Sequence, residues 1–168
     1  MSSQSDYSYL RFLADPTINL GNYQTGVGNL WLAFQTSTKV SLRNRTLTRR
    51  EKTELLSLFH ERYLPAYRGL VVAITETDEP IGYGAFSQQG REAGYTSAYV
   101  DPQHRRKGVF GEITNEVILF ARETGAKKLD AIVNSKELST ESLLRRGFKE
   151  AVPDPRRTVE GTPLRMRL

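Results

Sequence analysis

Apolar positions along this chain fall into two rhythms, and the change between them marks out its elements. Leu70–Thr75 is a compact β-branched run. Asp78-Glu79-Pro80 supplies a turn, and Ile81–Ser87 pairs back as a hairpin. Gln88–Arg91 turns the chain again, into a third strand at Ala93–Val100. From there the spacing becomes helical: Val109, Ile113, Val117 and Phe120 recur along one face, with Gly125 placed as a C-cap. Leu129–Val133 is a short strand of buried type. Leu138–Arg146 predicts a second helix stopped by Gly147, and Phe148–Val152 and Thr162–Leu168 predict a closing strand pair joined by the Pro/Arg-rich loop Pro153–Gly161. Upstream, Lys39–Asn44 fits a short strand. Thr48-Arg49-Arg50-Glu51 has capping-box spacing, and Leu55, Leu56, Phe59 and Tyr63 continue it as a helix ended by Pro65 and Gly69. Residues 1–37 are polar and glycine-dotted but carry Tyr7, Tyr9, Phe12, Tyr23, Trp31 and Phe34, too many aromatics for a disordered tail. They read as an N-terminal extension packed on a single domain of residues 38–168.

At 168 residues the chain is long enough to bury a real core. Its net charge of +5 suits an anionic partner, whether a nucleotide cofactor, a nucleic acid or an acidic protein. There is no cysteine, which excludes disulfides, thiolate metal ligands and a cysteine nucleophile. The only histidines are His60 and His104, so no metal site is expected. Met1–Ala14 lacks the pattern of a signal peptide, and no run approaches the roughly 20 apolar residues of a membrane span. The expectation is a soluble, cytoplasmic protein without a membrane partner.

One stretch carries candidate chemistry. Val100-Asp101-Pro102-Gln103-His104-Arg105-Arg106-Lys107-Gly108-Val109-Phe110-Gly111 joins a strand to the start of a helix. Backbone N–H groups at a helix start lack internal partners, and the helix dipole adds positive potential. With three cations and a glycine beside them they form a socket for a phosphate-bearing ligand. The plainer reading is a solvated basic turn.

The order of elements resembles the GNAT superfamily of N-acetyltransferases, and two local patterns share the resemblance. Arg105-Arg106-Lys107-Gly108-Val109-Phe110 is similar to the family's acyl-CoA signature, Gln/Arg-x-x-Gly-x-Gly/Ala, and Val100-Asp101-Pro102 to its lead-in. Leu143-Leu144-Arg145-Arg146-Gly147-Phe148 is similar to its late helix ending in Gly-Phe. The resemblance covers residues 39–168. It implies an α+β fold: a mostly antiparallel sheet of about six or seven strands, splayed between two parallel strands and flanked by about four helices. It also implies an enzyme transferring an acyl group, most simply acetyl from acetyl-CoA, to a primary amine by direct attack in a ternary complex. Backbone groups of Arg105, Arg106, Lys107, Gly108, Val109, Phe110 and Gly111 would grip the pyrophosphate, with the three cations adding charge. Ala98, Tyr99 and Val100 would pair with the pantetheine arm, and Asn134 and Ser139 would line it.

Three positions depart from the family pattern. Phe110 stands where Gly or Ala is usual, and its ring either turns into the core or reshapes the pocket. Gly94 stands where many members carry a Glu that takes the amine's proton, and Leu143 where a Tyr protonates the leaving thiolate. The substitutes within reach are Glu92, two residues before Gly94, Tyr99 or Tyr95, which alternation puts on one face of the same strand, and Ser142 beside Leu143. In this topology the first helical segment and the last loop shape the acceptor pocket, which places Phe59, Tyr63, Tyr67 and Pro153–Gly161 around the amine. Two other functions stay open: modification of nucleic acid or aminoacyl-tRNA, which the basic surface permits, and a catalytically inactive CoA-binding or interaction protein. Edge strands of such a sheet also allow a homodimer.

Overall fold

The computed structural model describes residues 6–13, 20–38, 42, 45–133, 138–153, 155 and 161–168, with the side chains of Leu138 and Ser139 left aside. The strand expected at Lys39–Asn44 (Leu42 apart), Asn134 and most of the Pro153–Gly161 loop lie outside these residues.

The elements in chain order are β1 (Tyr7–Leu13), α1 (Gln24–Thr38), α2 (Arg49–Leu58), β2 (Gly69–Thr75), β3 (Pro80–Gln89), β4 (Glu92–Val100), α3 (Val109–Glu123), β5 (Lys128–Val133), α4 (Leu138–Arg145), β6 (Lys149–Glu150) and β7 (Thr162–Arg167). The strands form one sheet in the order β1-β2-β3-β4-β5-β7-β6. Every pairing is antiparallel except β4 with β5, whose ends α3 connects. This is the splayed, mixed sheet with four helices that the sequence leads one to expect.

Strand alternation builds two cores. Leu70, Val72 and Ile74 of β2 join Tyr83 and Ala85 of β3 on one face, under Val27, Leu30 and Trp31 of α1 and Phe59. Val71 and Ala73 join Ile81, Phe86 and the α3 stripe of Ile113, Val117 and Ala121 on the other. Because both faces are covered, β2 reads as a continuous apolar run rather than as alternation. Trp31 and Phe59 are fully buried with ring centroids 5.1 Å apart, a pairing of about 1 kcal/mol beyond the area it hides.

Helix ends follow the chemistry of their sequences. The Thr48 hydroxyl accepts from the Glu51 N–H at 3.2 Å, and the Glu51 carboxylate accepts from the Thr48 N–H at 2.8 Å, a capping box that starts α2. The helix then widens into a π turn over Phe59–Tyr63 before Pro65. Gly125 (φ +87°) and Gly147 (φ +95°) each close a helix in the left-handed region. In both cases the next residue's N–H bonds back to the carbonyl five positions earlier: Ala126 to Ala121 at 3.0 Å, and Phe148 to Leu143 at 3.2 Å. Phe148 is thereby held in the core, and the expected strand Phe148–Val152 shortens to Lys149–Glu150.

The N-terminal stretch supplies two elements that its pattern does not announce. β1 is an edge strand running antiparallel to β2, from Tyr7 opposite Thr75 to Leu13 opposite Gly69. Arg11 pins it to α3, donating to Glu116 at 2.7 Å and to Glu123 at 2.8 Å. The Tyr7 hydroxyl lies 3.2 Å from His104 Nδ1, so this strand also touches the loop after β4. The segment α1 crosses the opposite face of the sheet. No described helix is long and apolar enough to cross a membrane.

Candidate active site

The sheet opens where one residue too many enters β4. Phe86 of β3 pairs with Tyr95, but its neighbour Ala85 pairs with Ser97, so Thr96 is a bulge. A bulge bends its strand and strengthens its twist. Pairing of β4 with β5 runs from Glu92–Lys128 to Tyr95–Ala131 and stops there, whereas pairing with β3 continues to Val100. Beyond Tyr95 the β5-facing edge of β4 therefore lines a wedge. The cleft within it has a volume of about 180 Å³. Thr96, Ser97 and Ala98 wall it on one side, Ala131–Val133 on the other. Phe34 and Thr38 of α1 close it at one face of the sheet, Phe110 and Leu143 at the other, so the cleft connects the two faces.

The cationic turn leads into α3, whose second residue, Phe110, lines the cleft. Gly108 caps α3 with φ +82°, a conformation that favours glycine, and a Cβ built on it would meet nothing within 4 Å. Arg106 also has positive φ, at 62°. The first backbone bond of α3 joins the Glu112 N–H to the Gly108 carbonyl at 3.1 Å, so the amides of Val109, Phe110 and Gly111 precede the ladder. Arg105 turns back: its Nε donates to the Val100 carbonyl at 2.9 Å and its guanidinium lies 5.3 Å from the centre of the Tyr99 ring. Arg106 and Lys107 are exposed. The Phe110 ring is half-buried against the α3-side core and forms part of the cleft wall.

The side chains read as candidate acids and bases are spread over different places. Tyr95 and Tyr99, expected on one face, lie on opposite faces, because the bulge at Thr96 reverses the alternation between them. Tyr95 is buried on the α3 side, its hydroxyl 3.3 Å from that of Thr114, and burial pushes its pKa well up. Tyr99 faces the α1 side under Arg105. Glu92 is exposed at the far end of β4, 2.5 Å from Lys128 Nζ, and does not line the cleft. Ser142 accepts at its hydroxyl from Arg146 Nη1 at 2.8 Å, while Leu143 next to it is buried in the cleft wall. Asn134 and the Ser139 side chain are outside the described residues. Of the acceptor-side aromatics, Phe59 and Tyr63 pack on Trp31, and Tyr67 is buried near Ser97.

Some cleft residues carry no signal that the sequence pattern exposes. Ser97 is 7 % exposed, and its Oγ lies 2.5 Å from the Tyr83 hydroxyl. Burial pushes the Tyr67 phenol up to about 12 and that of Tyr83 well above its usual range, so both are neutral hydroxyls. Their proximity depends on the register of β3 against β4 across the bulge, and that of Phe34 and Thr38 on the placement of α1. Neither follows from local spacing.

A cleft between two parting parallel strands, with an open helix start beside it, defines the class of acyl-CoA-dependent N-acetyltransferases. Residues 37–148, two-thirds of the chain, match the acetyltransferase (GNAT) family model. The chain belongs to that family. No curated protein matches it in sequence. Solved structures share its fold at low identity. GCN5 of Tetrahymena is 13 % identical, with a TM-score of 0.67 over 95 % of each chain. PaiA N-acetyltransferase of Thermoplasma acidophilum, solved with coenzyme A, is 10 % identical, with a TM-score of 0.63 over 96 % of this chain and 99 % of its own. YncA of Salmonella typhimurium, solved with its cofactor acetyl-CoA, is 20 % identical, with a TM-score of 0.62 over 95 % of this chain and 93 % of its own.

Proposed function

We propose that this enzyme transfers the acetyl group of acetyl-CoA to a primary amine, with both substrates bound at once on opposite faces of the sheet. The observation that carries the reading is the convergence of three features on one cleft: the edge of β4 freed from β5, the unbonded amides that open α3, and a glycine whose bare face meets only open space. A diphosphate needs several donors from one side. The amides of Val109, Phe110 and Gly111 are such a set, and Gly108 leaves room for the phosphate to approach. Arg106 and Lys107 add charge in the same turn. Arg105 supports the end of β4 from behind. Ala98, Tyr99 and Val100 pair with the pantetheine arm as an added strand.

Acetyl-CoA brings an acyl group already activated as a thioester, so positioning supplies much of the rate. The chain's part is to hold the arm along β4 with the thioester near Ser97, and to admit the amine from the side walled by Phe34 and Thr38. Glu92 and Ser142 receive no role in this reading, given where they stand.

Calorimetric titration with CoA tests it on wild type, Gly108→Asn and Gly108→Asp. Asn tolerates the left-handed conformation, so the first variant isolates strain and the second adds a negative charge at the phosphate. Wild type and Gly108→Asn should bind, and Gly108→Asp should not. Equal binding by the two variants, or none by wild type, would overturn the assignment. Thiol release from acetyl-CoA over a panel of primary amines then identifies the acceptor.

A further inference from the structure

The sheet face under α1 buries a group of hydroxyls that the cofactor site does not use. Tyr83 is completely buried, and its hydroxyl's one hydrogen-bond partner among the described residues is Ser97 Oγ, at 2.5 Å. Tyr67, itself buried, lies near Ser97 and Trp31 on the same face. Trp31 is fully buried and its Nε1 makes no well-formed hydrogen bond.

Proton accounting gives this group a direction. A buried phenol O–H left without an acceptor forfeits its hydration with nothing in return. Tyr83 has Ser97 Oγ as its one partner among the described residues, so its proton points there. The Ser97 oxygen thus receives from Tyr83, and its own proton is left over. Ser97 lines the cleft, two residues past the point where β4 and β5 part.

We infer that Ser97 is a catalytic hydrogen-bond donor to the carbonyl oxygen of the acyl thioester, and that Tyr83 is the positioning residue that aims it. This rests on the cofactor reading above, which runs the arm along Ala98–Val100 and so brings the thioester to residue 97. The hydroxyl serves one part of the transfer. As the amine nitrogen forms its bond to the carbonyl carbon, the carbonyl electron pair moves onto oxygen, where the Ser97 O–H meets the growing charge. The pair returns, the C–S bond breaks, and sulfur leaves with the bonding electrons and takes up the proton that nitrogen sheds. The products are an amide and CoA thiol. A donor fixed by a buried phenol needs no reorganisation at that moment, which makes such groups effective.

The test uses acetyl-CoA labelled with carbon-13 at the carbonyl, and hydroxylamine as the probe nucleophile. In wild type the infrared carbonyl band of the bound thioester should lie at lower wavenumber than in Ser97→Ala. Ser97→Thr, which keeps the hydroxyl, should restore it. Thiol release with hydroxylamine should lose about 100-fold in kcat in Ser97→Ala, with the KM for acetyl-CoA and the affinity for CoA unchanged. Tyr83→Phe should lose less, and nothing further once Ser97 is already Ala, since its effect passes through that hydroxyl. An identical carbonyl band in wild type and Ser97→Ala, with CoA still bound by both, would overturn the role of Ser97 and leave the cofactor site standing. Failure of wild type itself to bind CoA would instead overturn the cofactor reading and this inference with it.

Discussion

The guanidinium of Arg146 occupies the space that a side chain on residue 111 would need. An ideal Cβ built on Gly111 would overlap its Nη2. From that place Nε donates to the Gly111 carbonyl at 3.1 Å and to Asn115 Oδ1 at 3.0 Å. Nη1 donates to the Ser142 carbonyl at 3.0 Å and to the Ser142 hydroxyl at 2.8 Å. One side chain thus fastens α4 to the first turn of α3, the turn whose amides are proposed above to grip the cofactor. Gly111 is glycine for its neighbour just past α4. Arg146 is a clamp.

Gly111→Ala should therefore push the guanidinium aside and break its hydrogen bonds, a net loss of about 1 kcal/mol once the helix preference of Ala over Gly is set against it. Arg146→Ala should also destabilise, by removing the clamp. The double variant should be more stable than the sum of the two losses predicts, because the clash disappears with the guanidinium. Urea denaturation of the four proteins checks this. Strictly additive losses would show that the two residues do not share the space.

Phe110→Ala separates ring from backbone. The ring packs on the core and walls the cleft, while the amide of the same residue is one of the three at the helix start. Truncation should lower stability by about 1–3 kcal/mol, less than the 3–5 of a fully buried ring. Affinity for CoA should stay within a few-fold. Abolished CoA binding in a folded Phe110→Ala would mean that the ring, and not the amide, makes the contact. A large gain in affinity would mean that the ring obstructs the cleft.

Tyr67 gives a pH dependence whose sign is fixed. Its phenol is raised from about 10 to about 12, chiefly by burial. A raised folded pKa contributes stability that is complete below the unfolded value and is lost as pH rises through the folded one. Stability should therefore fall between pH 10 and 12, and fall less steeply in Tyr67→Phe. Denaturant midpoints at pH 9 and pH 11 for the two proteins would reveal it, with phenolate absorbance as a second readout. Parallel declines in both would remove Tyr67 from the account.

How much of this was legible in the chain depends on the reach of each signal. Local chemistry places the β2–β3 hairpin, the capping box at Thr48, the stripe of α3 and the glycines 125 and 147, because each is decided by residues within a few positions. The signature turn and its helix start are legible for the same reason. β1 and α1 are not. Tyr7–Leu13 becomes a strand by pairing with β2, some sixty residues away, and Arg11 finds its carboxylates on α3. α1 carries Gly26 and Gly28 inside it, which weaken any helical signal. Gly26 is needed there because a Cβ would press on the Pro80 ring. The polar groups of the cleft were hidden most completely. Counting by twos along β4 puts Tyr95 with Tyr99 and misplaces Ser97, since nothing in Tyr95-Thr96-Ser97 marks the extra residue.

That extra residue has a consequence for how the enzyme could vary. A strand with uninterrupted parity shows each face only its own alternate positions. With one supernumerary threonine, β4 shows its odd-numbered residues to the α3 layer before the bulge and to the α1 layer after it. Excising Thr96 would leave every later side chain on its present face, since Ser97 would then follow Tyr95 in an unbroken ladder and still oppose Ala85. What would disappear is the bend: β5 could go on pairing past Ala131 and seal the edge that the wedge now leaves open.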